Sequence, residues 1–246
     1  MQKDKGKEYE EKEVCGLRFA SLTPNGAAAL AAEQVRKGGF FSIFTPGATI
    51  HARARKKGEL SLLRQADLLL PDGQGVVLAS RLAGEGLYGR CAGITFAEML
   101  LQSCDRGTRF FFYGGREGVA EKAATTMGEK YPHLRFAHAH GYGHDPINEI
   151  TAFAPHVLFV CLGYPRQERY ILSHKPLLSC LCVGLGGSFD VWSGEAARAP
   201  ALWQKWGLEW AYRTLREPRR VSRLFPLPSY FAAALAQGLE KKRKKE

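Results

Sequence analysis

The sequence contains no apolar run close to the roughly 18 residues needed to cross a bilayer. Its charged start, MQKDKGKEYEEKE, has none of the apolar core of a secretory leader. A cytoplasmic protein is expected. Cys-x-x-Cys pairs are also missing: Cys15, Cys91, Cys104, Cys161, Cys180 and Cys182 are scattered. That argues against a zinc ribbon or a disulfide framework. Cys161, Cys180 and Cys182 lie inside apolar runs, where cysteine behaves as a small buried hydrophobe. No internal repeat is detectable.

The chain has 246 residues, 45% hydrophobic and 24% charged, enough for one large domain with a packed core. The net charge of +11 is unevenly spread. The last 49 residues carry +8, and the other 197 together only +3. A basic C-terminal segment points to an acidic partner such as a phospholipid surface, a pyrophosphate or a nucleic acid.

Short apolar runs alternate with segments of helical length. Phe40–Thr45, Asp67–Leu70, Arg109–Tyr113, Val157–Leu162 and Leu181–Val183 read as buried strands that end at Gly or Pro. Ala48–Ala66, Gly75–Leu82, Thr95–Cys104, Glu117–Lys130 and Arg166–His174 read as helices between them. This is the pattern of an α/β fold: a Rossmann-like, mostly parallel sheet with helices on both faces. After Gly194 the strands stop and Trp and Arg dominate. The expected organisation is a charged disordered tail over 1–13, an α/β core over 14–197 and a helical basic appendage over 198–246. Pro218 should bend that appendage, and Ser229–Glu240 should add a short helix.

Ligands of open α/β sheets bind beyond the carboxyl ends of the strands. Four strand ends carry unusual residues: Thr45-Pro46-Gly47, Pro71-Asp72-Gly73, Gly114-Gly115-Arg116-Glu117-Gly118 and Gly163-Tyr164-Pro165-Arg166-Gln167-Glu168. The GGREG turn suits either plain turn geometry or a phosphate at a helix N-terminus. It lacks the spacing of a dinucleotide fingerprint, and no acidic residue follows to hold a ribose. Asp72 reads as a helix cap or as a general base at the cleft mouth. His138 and His140 share a strand face, but no third metal ligand is evident. Trp203, Trp206 and Trp210 form one helical stripe, suited to packing on the core or to a lipid interface.

Taken in order, the motifs resemble one family. They are Thr45-Pro46, AD-x3-PDG-x-GVV (Ala66–Val77), R-x2-G (Arg90–Gly93), FYGG-x2-GVAEKAA (Phe112–Ala124) and Gly141-Tyr142. LG-x-P-x-QE (Leu162–Glu168), VG-x-GG-x-FDV-x-SG (Val183–Gly194), RAP (Arg198–Pro200) and GLEW-x2-R-x3-EP-x-R-x2-R (Gly207–Arg223) complete the series. Over some 85% of the chain this is similar to the WecG/TagA/CpsF glycosyltransferases, glycosyltransferase family 26.

The resemblance implies an inverting transfer of an N-acetylmannosamine-type sugar from a UDP donor. The acceptor it implies is N-acetylglucosamine on undecaprenyl pyrophosphate, in cell-surface polysaccharide synthesis of teichoic acid or capsule type. It makes Asp72 the base, puts Thr45 and Gln167 in the active site, and assigns Arg213, Arg220 and Arg223 to the basic appendage. Arg90, Gly114, Gly115, Tyr142, Gly163, Gly186 and Gly187 fall on its substrate-binding motifs. Asp190 could hold uracil or ribose, or simply close a turn. Where the family usually has Asn, this chain has Gly47, which bears on the donor and leaves another UDP-hexose as the alternative.

The chemistry has two demands: a carboxylate for the acceptor proton, and cations or N–H donors for the departing UDP. Many glycosyltransferases meet the second with a metal held by Asp-x-Asp, a pair this sequence lacks. Arginines and glycine turns are expected in its place, with no metal and no cofactor. The enzyme is expected at the inner face of the cell membrane, peripheral on an anionic surface. Its oligomeric state is left open. An NAD-dependent oxidoreductase is disfavoured by the missing ribose acid. A nucleic-acid module is disfavoured by the absence of any RNP-type strand.

Overall fold

The computed structural model describes residues 9–197, 199–200, 203, 212, 221–222 and 224–244. Its centre is a six-stranded sheet in the order β4-β3-β8-β7-β5-β6 with every pair parallel. The strands are β3 (Phe41–Phe44), β4 (Leu68–Leu69), β5 (Arg109–Gly114), β6 (Arg135–Ala139), β7 (Val157–Cys161) and β8 (Leu181–Gly184). An antiparallel hairpin of β1 (Glu11–Val14) and β2 (Leu17–Ala20) precedes them.

Alternation along each strand feeds two cores. Phe110, Phe112, Val157, Phe159, Leu181 and Val183 face one, and Phe111, Tyr113, Leu158, Val160 and Cys182 face the other. Because both faces are buried there, the central strands β7 and β8 carry no polar side chain other than cysteine. The first face is covered by α1 (Pro24–Lys37), α5 (Gly93–Ser103), α6 (Val119–Lys130) and α9 (Ser188–Trp192). The second is covered by α2 (Ala48–Lys57), α3 (Leu60–Arg64), α4 (Gln74–Leu82), α7 (Ile147–Phe153), α8 (Arg166–Ser173), the hairpin and a C-terminal helix, Leu227–Arg243. The α/β, Rossmann-like reading holds. All six cysteines are buried and free.

Two expectations are corrected. Glu11–Glu13, assigned to the charged tail, form β1, because Val14, Leu17 and Phe19 give the hairpin an apolar side to bury. The single helix expected over Ala48–Ala66 is two helices, parted at Gly58, whose φ of 70° ends α2 in the left-handed region.

The expected C-terminal helix is present and packs on α2 and α4. Tyr230 is 1% exposed, and its hydroxyl donates to Nδ1 of the buried His51 at 3.0 Å. The other ring nitrogen, Nε2, donates to the Cys15 carbonyl at 3.4 Å. Burial holds the His51 pKa down at about 4, so the ring is neutral and needs both partners. Gln237 accepts from Cys15 N and donates to Glu13 O, both at 2.8 Å, and Lys241 pairs with Glu85 at 2.7 Å. The apolar stripe beneath the basic residues, with Tyr230 and Ala234 buried, decides where the helix goes. Trp206, Trp210, Pro218, Arg198, Arg213, Arg220 and Arg223 lie outside the described residues.

Candidate active site

The carboxyl ends of all six strands lie along one edge of the sheet, and specific contacts join them in series. The turn after β4 carries Asp72, half-buried, whose backbone forms an isolated parallel bridge with Gly47, after β3. A Cβ on Gly47 would lie 3.1 Å from the Asp72 carbonyl, so this position favours the smallest residue. Beside Gly47, the buried Thr45 donates through Oγ1 to the carbonyl of Gly184, the last residue of β8, at 3.1 Å. Asp72 does not occupy the N-cap of α4; that position is Gly73.

The R-x2-G motif is explained by the same corner. Cys91 N donates to Pro71 O at 2.8 Å, which lays Arg90 and Cys91 along the Asp72 turn. Gly93 opens α5 where a Cβ would stand only 2.8 Å from Thr45 Oγ1. Burial, then the Asp72 charge, pushes the Cys91 thiol up to about 12, so it is not a nucleophile. Arg90 is half-buried.

Gln167, at the start of α8, ties the next two strand ends together. Its Oε1 accepts from Gly163 N at 3.2 Å and from Gly186 N at 2.9 Å. Gly184 has no side chain because a Cβ there would come within 2.8 Å of Gln167 Nε2. That Nε2 donates to Oε1 of Glu168 at 3.0 Å. Glu168 is 2% exposed, and its Oε2 is buried without a hydrogen-bond partner. Burial pushes its pKa up to about 7. From the sequence, Glu168 belongs to the strand-end motif but receives no role of its own. The signal was its spacing: it sits three residues before the buried Ile171, on the stripe of α8 that faces the core.

Backbone geometry alone already requires the first two glycines of the GGREG turn. Gly115 N donates to Cys161 O at 3.1 Å, and a Cβ on Gly114 would lie 2.5 Å from that same oxygen. The amide of Gly115 is therefore committed to the fold. Gly141 N in turn donates to Gly115 O at 2.9 Å. Tyr142, largely exposed, has the Arg166 guanidinium 5.8 Å from its ring centre. Asp190 lies on α9 with its carboxylate turned toward Gly187, where a Cβ would be 3.3 Å from Oδ2.

The sheet edge thus brings together Asp72, Gly47, Thr45, Gly186, Gly187, Gly163, Gln167 and Asp190. From Asp72 to Gln167 the edge spans three strand spacings, about 14 Å. Gly114, Gly115 and Tyr142 stand at its far end. His140, just past β6, packs against His144, ring centres 4.9 Å apart. Among the described residues, no three of His, Cys, Asp or Glu gather as a metal ion would need. Nor is any helix among the described residues long and apolar enough to cross a membrane.

The profile of the Glycosyl transferase WecG/TagA/CpsF family matches residues 12–244. The chain is 38% identical to an N-acetylglucosaminyldiphosphoundecaprenol N-acetyl-beta-D-mannosaminyltransferase of Bacillus spizizenii, over 81% of this chain and 79% of the relative. Proteins of the same name from Bacillus subtilis and Staphylococcus aureus are each 34% identical. They cover 78% and 70% of this chain, and 77% and 70% of their own lengths.

Proposed function

Since the chain belongs to the WecG/TagA/CpsF family of glycosyltransferases, we propose that it transfers N-acetylmannosamine from a UDP donor to N-acetylglucosaminyl diphosphoundecaprenol. The acceptor hydroxyl attacks the anomeric carbon as the bond to the UDP oxygen breaks on the opposite face, so configuration inverts. Asp72 takes the hydroxyl proton. Gln167 and the Gly163 and Gly186 loops shape the donor site, with Thr45 holding the β3 and β8 ends in register. Asp190 meets the uridine, and Arg90 stands near the reacting centre. The departing diphosphate is stabilised by Arg213, Arg220 and Arg223 rather than by a metal. The reaction takes place at the inner face of the membrane, on an anionic surface, and serves teichoic acid or another cell-surface polymer.

The observation that supports this reading best is the bridge between Gly47 and Asp72 beside the Thr45–Gly184 bond. It sets a half-buried carboxylate next to the strand ends on which a nucleotide rests in open α/β sheets. The test is a transfer assay in excess chelator with a short-chain lipid diphosphate acceptor and several UDP-sugars, read by mass spectrometry. Asp72→Asn should lower turnover by about 10²–10⁴-fold and leave UDP affinity within a few fold. Near-normal turnover would remove Asp72 from the chemistry. Preference for another UDP-hexose would assign the Gly47 departure to donor choice.

A further inference from the structure

Gln167 joins two loops with a single oxygen, and this works only if its amide lies one way round. The two ends of an amide have nearly the same shape, so packing cannot choose between them. The space is tight, since even a Cβ on Gly184 would come within 2.8 Å of Nε2. A flipped amide would turn its NH2 group onto the N–H groups of Gly163 and Gly186, donor against donor. Something behind Gln167 must accept from its NH2, and Glu168 Oε1, at 3.0 Å, is that acceptor.

We propose that Glu168 is a positioning residue of the transferase, whose buried carboxyl sets the orientation of the Gln167 amide and so the spacing of the Gly163 and Gly186 loops. The inference rests on the donor-site reading above. Oε2 has no partner, so a proton carried there leaves Oε1 as a pure acceptor toward Gln167. The pKa of about 7, raised mainly by burial, agrees with a carboxyl that carries this proton up to about neutral pH. The position is braced from outside. Tyr164 donates to Glu59 Oε2 at 3.0 Å, and Arg169, the next residue on α8, donates to Glu59 Oε1 at 3.2 Å. Glu59 stands at the head of α3, so α3 and α8 are tied on either side of the carboxyl.

The test has two readouts, amide-resolved hydrogen exchange and transfer kinetics, on Glu168→Leu, Glu168→Gln, Gln167→Ala and the double variant E168L/Q167A. In Glu168→Leu the amides of Gly163 and Gly186 should exchange faster, with the rest of the sheet unchanged. A misplacement of this kind is worth roughly a hundredfold in kcat/KM, expressed mainly in the KM for the donor. Glu168→Gln, which still offers an oxygen to Gln167, should restore both readouts. In the Gln167→Ala background, removing the Glu168 carboxyl should cost little more.

Full additivity of the two substitutions, or unchanged exchange at Gly163 and Gly186 in Glu168→Leu, would overturn the proposal. If Glu168→Leu does not fold, Glu168→Met takes its place. If both fail to fold while Glu168→Gln folds, the carboxyl is a scaffold element and the proposal falls. An inactive wild type that shows the expected exchange pattern would count against the transferase reading and for the positioning role.

Discussion

His51 and Glu168 are both shut away from solvent on the second face of the sheet, and burial shifts both toward their neutral forms, yet their surroundings differ. His51, under the C-terminal helix, has a partner for each ring nitrogen, in Tyr230 and Cys15. Glu168, behind the strand-end site, leaves one oxygen unpaired. An unpaired buried polar atom costs about 1–3 kcal/mol. The seam under the C-terminal helix is complete, as expected of a contact that serves only the fold. The floor of the site is incomplete, which fits a place where stability yields to function.

The comparison breaks most visibly at Tyr230. Tyr230→Ala opens a cavity and strips the partner from His51 Nδ1, so it should cost about 3–5 kcal/mol of stability. A urea melt would measure it; a loss under 1 kcal/mol would mean that the C-terminal helix docks only loosely.

Titration sharpens the comparison next, because the two groups have opposite signs. The folded pKa of His51 lies near 4, below its ordinary 6.5, so the unfolded chain binds the extra proton between those values. Stability from this group falls as pH drops through that window. The folded pKa of Glu168 lies near 7, above its ordinary 4.5, so the unfolded chain releases its proton first. Stability from that group falls as pH rises from 4.5 to 7. Each full effect is on the order of 3 kcal/mol, and between pH 4.5 and 6.5 they oppose each other. Relative to wild type, Glu168→Gln should therefore gain stability steadily from pH 4.5 to 7 in a series of urea melts. A flat difference would show that the two carboxyl environments, folded and unfolded, do not differ.

The smallest effect belongs to the basic end of the helix. Lys241→Ala removes a part-exposed ion pair with Glu85 and should cost about 0.2–1 kcal/mol, less at high salt.

The site was easier to read from the sequence than the seam, for a physical reason. Apolar runs ending in Thr-Pro-Gly, Pro-Asp-Gly or Gly-x-Pro-x-Gln-Glu mark strand ends directly, and parallel topology then lines those ends up on one edge. Nothing local says that Tyr230 will meet His51, 179 residues away. The same blindness hid β1, whose Glu-Lys-Glu composition looks solvated until its partner strand is known. It also hid α1, an alanine-rich helix with too little contrast between faces to stand out. The helix over Leu227–Arg243 was expected as a segment, but its basic composition drew attention from the Tyr230 and Ala234 stripe that docks it. Glu168 receives no role of its own there because a carboxylate inside a buried stripe looks, in sequence, like an exposed one.

Gln237 carries a last consequence, for the order in which the chain is made. Its side chain closes on Glu13 and Cys15, residues 224 and 222 positions earlier. A ribosome emits the hairpin first and the C-terminal helix only after every strand of the sheet. Until then the side of the hairpin and α2 that receives Tyr230 stays open, with His51 exposed to water and able to take a proton. A contact of such sequence separation closes slowly. The nascent protein should therefore pass through a state with a formed sheet and an unsealed second face, the stage most open to chaperone capture or to aggregation.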